Sequence, residues 1–444
     1  MSNFFNAIGV ASMEKIHSAM IAWILDDKND KNIVKEQSEE SLFATFPIEV
    51  RSVILCKMFG IEDKRRFKSI QTHVEWNDID IMIETIDKNN REIWVIENKL
   101  KTPEHKSNSG EKRIWQTEKY VKLIQKEFKD FNHHYMLLSL GGDEAKYKTE
   151  EVSWNSFSYS DLYKLLNEKY KEEIVEYRQI KEYIYSIERM TKELENFKKD
   201  PSSYSIVFEP KKKKEKKAEL LFEEPLKENV KKAYYILENG LETIFQKEFL
   251  KKIVDDAQLN TLKEGMVIDE DNGTAEFDYT IARFDKDAKV DDNGNLLFQI
   301  QFQNGAFKVV IIHQNYRNNK PEHFEDIYGN KDKLDSTVTW YKIFNEFNDV
   351  LKNNCGEKDR WVLHKAQNIE KNDNPKPRIS FTKNIGSDWY TNIDKFKEGF
   401  KEAVEFAESI LDSMDIKDNT HIKSVLSKLS NDINSPVINE GNHI

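Results

Sequence analysis

Residues 79–99 read IDIMIETIDKNNREIWVIENK and contain two apolar segments joined by a polar turn. The segments 79–86 and 92–98 are rich in Ile, Val, Met and Trp, the side chains that favour β-strands. Between them lies Asp87-Lys88-Asn89-Asn90, a cluster typical of a tight connection. The stretch therefore predicts a β-hairpin.

The register of this hairpin brings two carboxylates and an amine together. If Asp87 and Asn90 face each other, Asp80 lies opposite Glu97, with Cβ atoms about 4.5 to 5.5 Å apart. Side chains alternate along a strand, so Glu97 and Lys99 share a face. Carboxylates this close repel each other unless a cation lies between them, and a divalent metal there can activate water against a phosphodiester. A slip of one residue would destroy this arrangement.

The Glu-x-Lys pattern alone carries little information in a chain so rich in both residues. Other copies occur, among them Glu62-Lys64, Glu104-Lys106, Glu127-Lys129 and Glu215-Lys217. Glu97 differs because the apolar run 93–96 directly precedes it, which predicts a buried strand. Burying an acidic pair without a partner is costly, so we interpret Glu97 and Lys99 as functional rather than as a solvated surface pair.

A helix is predicted shortly after the hairpin, in EKRIWQTEKYVKLIQKEF (111–128). Its apolar residues recur at helical spacing, namely Ile114, Val121, Ile124 and Phe128. Gln116 and Tyr120 lie four residues apart on another stripe, which by itself is typical of an ordinary surface pair.

Together these residues resemble the PD-(D/E)xK nuclease superfamily, and the Gln-x-x-x-Tyr pair is similar to that of its RecB-like branch. The resemblance assigns Asp80, Glu97 and Lys99 to the signature and Gln116 with Tyr120 to the following helix. It covers about residues 1–200 and implies a restriction-endonuclease-like α/β fold, a mixed sheet flanked by helices.

One position departs from the signature, since Ile79 stands where its name has proline. Asp78 is a competing candidate for the aspartate, because it would lie on the same strand face two residues earlier. We prefer Asp80, which is followed by the apolar triplet 81–83, as in the family pattern.

The amino-terminal segment MEKIHSAMIAWILDD is similar to the opening of one bacterial family within the superfamily. Residues 13–26 predict an amphipathic helix with Ser12 as N-cap. By resemblance, Glu14 is a candidate for an extra metal ligand and His17 for a contact to metal or phosphate. The alternative is that Glu14 only complements the helix dipole and His17 is an ordinary histidine.

The mechanism expected from this set is hydrolysis with Mg²⁺, for which Mn²⁺ can substitute. The expected metal ligands are Asp80, Glu97, the Asn98 carbonyl and Glu14. Lys99 would orient the attacking water and stabilise negative charge, while Gln116 and Tyr120 would position the nucleic-acid backbone. The resemblance also implies a role in bacterial defence against phage or mobile DNA. The alternative is a nuclease-fold protein that binds nucleic acid or senses a trigger without cutting.

The overall charge does not favour nucleic-acid binding, since 68 basic and 79 acidic residues give a net charge of −11. A local basic surface is sufficient, however, and DNA is expected as partner more than RNA. The segment 99–129 offers such a surface or, alternatively, an ordinary solvated helix. Its basic residues are Lys99, Lys101, Lys106, Lys112, Arg113, Lys119, Lys122, Lys126 and Lys129.

The 444 residues predict more than one domain, at about 150 residues each. We expect a nuclease domain at 1–200, a Lys-rich linker at 201–217, an α+β domain at 218–413 and a polar tail at 414–444. The third segment contains Asn304-Gly305 between apolar runs, a hairpin signal within a predicted antiparallel meander, and a helix opening near Asn392. We expect it to act in recognition or regulation, through a ligand or protein trigger.

Two cysteines, Cys56 and Cys355, exclude a disulfide framework and favour a reducing cytoplasm. No apolar stretch reaches the roughly 18 residues of a membrane span, so no membrane partner is expected. A homo-oligomer is left open.

Overall fold

A computed structural model describes most of both halves of the chain. The described residues are 12–29, 46–61, 65–87, 90–101, 104, 106–109, 112–172, 178–208, 227–259, 262, 266–271, 274–284, 296–313, 361–364, 378–386, 388–413 and 420–434.

Groups of helices and groups of strands follow one another along both halves of the chain. The described helices are α1 Glu14–Leu25, α2 Ile48–Met58, α3 Gln116–Glu127, α4 Tyr159–Glu172, α5 Arg178–Lys199, α6 Glu228–Glu238, α7 Glu242–Asp256, α8 Ile393–Ser413 and α9 Thr420–Asn434. The described strands are β1 Ser69–Trp76, β2 Ile79–Asp87, β3 Asn90–Lys99, β4 Lys106–Ser109, β5 Lys112–Trp115, β6 Asn132–Ser139, β7 Trp154–Ser158, β8 Met266–Asp271, β9 Thr274–Phe284, β10 Leu296–Gln303, β11 Ala306–His313, β12 Val362–His364 and β13 Arg378–Asn384.

The first half is built on a mixed five-stranded sheet in the order β1-β2-β3-β6-β7. β1, β2 and β3 are antiparallel neighbours, whereas β6 runs parallel to β3 and to β7. β3 lies at the centre, and residues 92–99 are all buried, which explains its nearly continuous apolar run. The predicted mixed α/β sheet with flanking helices is confirmed.

Helix α3 packs on this sheet through Val121 and Ile124 of the predicted stripe and also through Tyr120, which was expected on another stripe, whereas Ile114 lies in β5 before the helix begins. Tyr120, Val121 and Ile124 join a buried cluster with Ile93 and Val95 of β3. Apolar residues of the predicted strand and of the predicted helix therefore pack in one core.

The start of α1 differs from the expectation of a Ser12 cap. The helix begins at Glu14, and Met13 at its N-cap makes no side-chain capping bond. Ser12 is buried and its Oγ donates to the Asn239 carbonyl oxygen at 3.0 Å. The Ser12 hydroxyl is thus bound to an acceptor that is distant in sequence, and it does not cap the helix as the local pattern predicted.

The second half contains an antiparallel six-stranded sheet in the order β12-β13-β11-β10-β9-β8. Asn304 and Gly305 have φ of 53° and 74°, so the turn predicted between β10 and β11 is of the hairpin type that needs positive φ at both residues. α8 covers one face, where Phe302 and Phe307 contact Phe396. The predicted α+β fold on an antiparallel meander is confirmed.

The chain divides into two compact units that do not follow the sequence order. One comprises 1–199 and 231–245, and the other comprises 200–230 and 246–444. In the expected linker, Pro201–Phe208 forms a 3₁₀ segment whose last three residues are buried, because Ile206-Val207-Phe208 is apolar. Residues 209–217 of that linker lie outside the described residues.

The expected polar tail also differs, since α9 lies within it. Ile422, Leu426 and Leu429 recur at helical spacing and are buried. The segment was predicted to be a polar tail because abundant Ser, Asn and Lys residues surround this short apolar stripe.

Within the described residues, no helix is long and apolar enough to span a membrane.

Candidate active site

The β2–β3 hairpin holds the two carboxylates in the predicted register. Asp87 pairs with Asn90, Ile86 with Arg91 and Ile81 with Ile96, which brings the next residues, Asp80 and Glu97, side by side. The Asn98 N–H donates to Asp80 Oδ2 at 2.8 Å. This bond fixes the Asp80 carboxylate against the end of β3.

Lys99 lies on the same face as Glu97, as the alternation of a strand requires. Its Nζ is 2.7 Å from Glu97 Oε1. Glu97 is fully buried and Lys99 is 8% exposed. Among the described residues, neither oxygen of Glu97 accepts a hydrogen bond of normal geometry. The ion pair with Lys99 is therefore the main compensation for this buried carboxylate.

The three groups perturb one another electrostatically. Burial, and then the Asp80 carboxylate, raise the pKa of Glu97 from 4.5 to about 8. Burial also raises the pKa of Asp80, against the opposing hydrogen bond from the Asn98 N–H. Burial alone would lower the pKa of Lys99, but the neighbouring Glu97 carboxylate raises it. Lys99 therefore stays an ammonium at neutral pH, beside a carboxylate pair that resists full ionisation.

Helix α3 places Gln116 and Tyr120 at the turn before β2. Gln116 Nε2 donates to the Tyr120 hydroxyl at 2.6 Å, and this hydroxyl donates to the Asp78 carbonyl oxygen. Asn77 and Asp78 have positive φ, 49° and 69°, as a two-residue hairpin turn requires and as Asn and Asp tolerate. The hydroxyl of Tyr120 thus holds this turn two residues before Asp80. Burial raises the pKa of Tyr120 far above its usual value, so the hydroxyl stays a neutral donor.

Asp78, the competing aspartate, lies outside the carboxylate pair. It belongs to the turn rather than to β2, and its side chain is 78% exposed and paired with Lys119 at 2.8 Å. The expectation that it shares the strand face of Asp80 is wrong, because the turn breaks the alternation.

Helix α1 reaches the end of β3 through Glu14. Glu14 Oε1 accepts hydrogen bonds from the N–H groups of Leu100 and Lys101, both at 2.8 Å. His17, one turn later, is buried among aromatic rings. Its Nδ1 lies 3.1 Å from the Tyr183 hydroxyl, and its ring meets Tyr159 edge-on.

The Asn98 side chain was missed by sequence reasoning, which considered only its carbonyl. Its Nδ2 donates to the Glu14 carbonyl oxygen at 3.0 Å and to Ser18 Oγ at 3.1 Å. The Tyr159 hydroxyl donates to Asn98 Oδ1 at 2.8 Å. The buried amide thus joins α1, β3 and α4 directly behind the carboxylates. No local pattern signals this role, because its partners come from distant segments.

Residues 2–187 match the family model of the PD-(D/E)XK nuclease superfamily. Residues 2–187 thus form a PD-(D/E)XK nuclease superfamily domain. No curated protein and no solved structure matches the chain significantly.

The donors of this nuclease-superfamily domain suit a hard divalent cation. Asp80, Glu97 and the Asn98 carbonyl are oxygen donors of the kind that Mg²⁺ and Mn²⁺ prefer. The buried oxygens of Glu97 that lack hydrogen bonds fit such an ion, since a cation would compensate them. Within the described part of the chain, no three His, Cys, Asp or Glu side chains group closely enough to hold a metal. The described set is therefore two carboxylates and a carbonyl, while Glu14 contacts backbone N–H groups.

The expected basic surface of the domain is largely neutralised where it is described. Lys119 pairs with Asp78, Lys122 with Glu118 and Lys126 with Glu127. The side chains of Lys106, Lys112 and Arg113 lie outside the described residues. Lys101 is different, as it is half-buried beside the site. Burial lowers its pKa, while the carboxylates of Glu14 and Glu242 favour the charged form.

Proposed function

We propose that this protein is a metal-dependent nuclease that hydrolyses phosphodiester bonds of nucleic acid. The observation that carries the proposal is the fully buried Glu97 carboxylate beside the partly buried Asp80, with Lys99 at 2.7 Å from Glu97. A protein that only binds nucleic acid gains nothing from two adjacent carboxylates, one of them fully buried, which cost free energy and repel phosphate.

Asp80, Glu97 and the Asn98 carbonyl would hold the cation, with Mg²⁺ as the proposed metal and Mn²⁺ as a substitute. Glu14 is the candidate for a further ligand. When bound, the metal would supply Lewis acidity at the phosphate and lower the pKa of a water molecule.

Lys99 contributes a fixed positive charge at the carboxylate pair. Its ammonium group is held by Glu97, so it is oriented before substrate arrives and can stabilise negative charge that develops at the phosphate. It can also donate to the attacking water and orient it.

Gln116 adds a polar group on α3. Its Oε1 is buried and accepts no hydrogen bond from the described residues. We propose that this acceptor binds a water molecule that helps to position the substrate backbone. Tyr120 acts on the turn before Asp80 rather than on substrate, because its hydroxyl is bound to the Asp78 carbonyl.

We further propose DNA as the substrate and defence against phage or mobile DNA as the role. Both rest on the resemblance to bacterial members of the superfamily and not on a contact. The unit that contains β8 to β13 is proposed to recognise a ligand or protein trigger.

The proposal is tested with purified protein incubated with Mg²⁺ or Mn²⁺ and linear, circular, single-stranded DNA and RNA. We expect cleavage by wild type that EDTA abolishes, and a loss of about 100-fold or more in Lys99→Ala. Lys192→Ala is the matched control, since Lys192 is 65% exposed and paired with Glu188 on α5. Absence of cutting on every substrate, or full activity of Lys99→Ala, would refute the mechanism.

The second candidate is a nuclease-fold protein that binds nucleic acid or a partner without cutting. The engagement of Glu14 by two backbone N–H groups favours it, because this leaves fewer side-chain carboxylates for metal. A magnesium titration followed by thermal melting discriminates the two. A metal site gains stability with metal concentration by mass action, and a protein without one does not.

A further inference from the structure

The turn between α6 and α7 lies in the same compact unit as the candidate active site, although it is outside the matched range. Residues 231–245 group with 1–199. Ser12 Oγ binds the Asn239 carbonyl oxygen, just before α1. Gly240 ends α6 with φ of 62°, and Leu241 N–H bonds back to the Ile236 carbonyl oxygen, as in a Schellman cap. The site region is thus bordered by a segment more than a hundred residues beyond α3.

Lys101 faces this turn. A Cβ built on Gly240 would lie 3.9 Å from Lys101 Nζ, which is ordinary contact distance. Gly240 is exposed and Lys101 is half-buried, so part of the Lys101 side chain is accessible to solvent, and the carboxylates of Glu14 and Glu242 act electrostatically on its ammonium group. Within the described part of the chain, Lys101 forms no ion pair, unlike Lys119, Lys122 and Lys126.

Lys101 is also tied to the carboxylates of the site. Its N–H and that of Leu100 bind Glu14 Oε1, and Glu14 acts electrostatically on Asp80 as well. Lys101 follows Lys99 by two residues, which spans at most about 7 Å of chain. A nucleic-acid strand with one phosphate near Lys99 therefore has its next phosphate within reach of Lys101.

We propose that Lys101, beside the Gly240 turn, binds the phosphate adjacent to the phosphodiester that is cut; this rests on the nuclease function proposed above. The ligand class is the phosphate backbone of nucleic acid, because a half-buried ammonium group that forms no ion pair with the described residues recognises charge and not a base. The side chain binds and positions substrate and takes no part in the bond change.

The test measures binding of full-length protein to a fluorescein-labelled DNA duplex, single-stranded DNA and RNA by anisotropy at several salt concentrations. It is done in EDTA, and the kinetics of cleavage are measured separately with Mg²⁺. The variants are Lys101→Met, which keeps an unbranched stem, and Lys101→Arg, which keeps the charge. Lys192→Met is the control for loss of an exposed lysine.

A matched pair at Gly240 tests the position of the site without changing Lys101. Asn and Asp both tolerate positive φ, so Gly240→Asn and Gly240→Asp have similar shape and differ in charge. The Asp side chain would place a carboxylate beside the Lys101 ammonium group and compete with phosphate.

We expect Lys101→Met to weaken binding about tenfold and to reduce the slope of log Kd against log salt by about 0.9, the value for one phosphate contact. Gly240→Asp should weaken binding similarly, whereas Lys101→Arg, Gly240→Asn and Lys192→Met should stay near wild type. With Mg²⁺, Lys101→Met should raise KM and leave kcat nearly unchanged.

Several results would overturn the inference. If wild type binds and cuts while Lys101→Met keeps its salt slope and KM, the inference fails and the nuclease function stands. A lowered melting temperature with an unchanged slope would assign Lys101 a structural role only. If wild type binds but does not cut, the nuclease function fails while the salt slopes still decide the role of Lys101. If wild type neither binds nor cuts, both fail.

Discussion

At the scale of single residues, the environment of the Glu97 carboxyl group disfavours its ionised form. It is fully buried, adjacent to Asp80, and compensated mainly by Lys99. Such a group destabilises the metal-free fold and becomes favourable only when a cation is bound. Binding of a cation would compensate the buried Glu97 carboxylate and thereby remove this destabilisation.

The first prediction concerns Glu97→Gln in metal-free protein. The folded pKa of Glu97 is about 8 and its ordinary value is 4.5, so the stabilising contribution is present below 4.5 and lost as pH rises to about 8. Glu97→Gln should remove this pH dependence and stabilise the protein at pH 8 by about 1 kcal/mol or more. Thermal melting in EDTA at a series of pH values measures it.

The exposed Glu195→Gln on α5 is the control for the loss of one carboxylate and should leave the profile unchanged. Magnesium should raise the melting temperature of wild type and not that of Glu97→Gln. A lower melting temperature for Glu97→Gln than for wild type at pH 8 in EDTA would contradict the prediction.

Glu14 offers a second prediction at the residue scale. Removing its carboxylate in Glu14→Ala leaves the N–H groups of Leu100 and Lys101 without their acceptor, which should cost about 1–3 kcal/mol of unfolding free energy. Glu14→Gln keeps one carbonyl acceptor and should melt close to wild type. Equal melting of Glu14→Ala and wild type would exclude the anchoring role.

The same pair of variants addresses metal binding. A Glu14→Gln protein that melts normally but no longer responds to magnesium would assign Glu14 to the metal. A normal response would restrict Glu14 to anchoring α1 on the end of β3.

At the scale of elements, α3 holds the β1–β2 turn that precedes Asp80. Glu75 at the end of β1 and the turn residues Asn77 and Asp78 all have positive φ, which is least favourable for Glu75 and is held there by surrounding contacts. Tyr120 and Lys119, on one side of α3, bind the carbonyl and the carboxylate of Asp78. The Gln-x-x-x-Tyr spacing thus serves to position a strand as well as to present Gln116.

The third prediction tests this positioning role with Tyr120→Phe. Loss of the hydroxyl should lower the unfolding free energy by about 1 kcal/mol and reduce kcat about tenfold or more by displacing Asp80. Tyr163→Phe is the control, because its hydroxyl binds Glu188 on the surface at 2.8 Å. Stability loss without any change in kcat would show that the turn does not control the carboxylate.

At the scale of the whole molecule, sequence order and compact units do not coincide. Residues 231–245 group with the nuclease-superfamily domain, although the resemblance ends near residue 200. Phe245 packs on Phe197, and Arg189 stacks on the Tyr235 ring. The buried face of α5 therefore depends on helices that follow in sequence after 227.

The fourth prediction is that a fragment of residues 1–200 melts well below the full-length protein and binds a hydrophobic dye. Without α6 and the start of α7, Phe197 and the apolar face of α5 are exposed to water, at about 25 cal/mol per Å² of apolar surface. A fragment of residues 1–258 should be more stable than 1–200. Identical first melting transitions for the two fragments would contradict this.

Local sequence features predict the hairpin and the placement of its charged side chains. Turn length and the two-residue period of a strand are local properties, so they placed Asp80 beside Glu97 and Lys99 on one face. The helical stripe of α3 and the Asn304-Gly305 turn were predictable for the same reason, because backbone conformation and apolar spacing are encoded within a few residues.

The surroundings of that hairpin depend on tertiary contacts. The Asn98 amide behind the carboxylates, the Tyr120 contact to Asp78 and the approach of Gly240 to Lys101 each join segments distant in the chain, the last across more than a hundred residues. Ser12, which local pattern made a helix cap, binds Asn239 instead. Such contacts depend on which surfaces meet when the core is buried, and no local spacing specifies that.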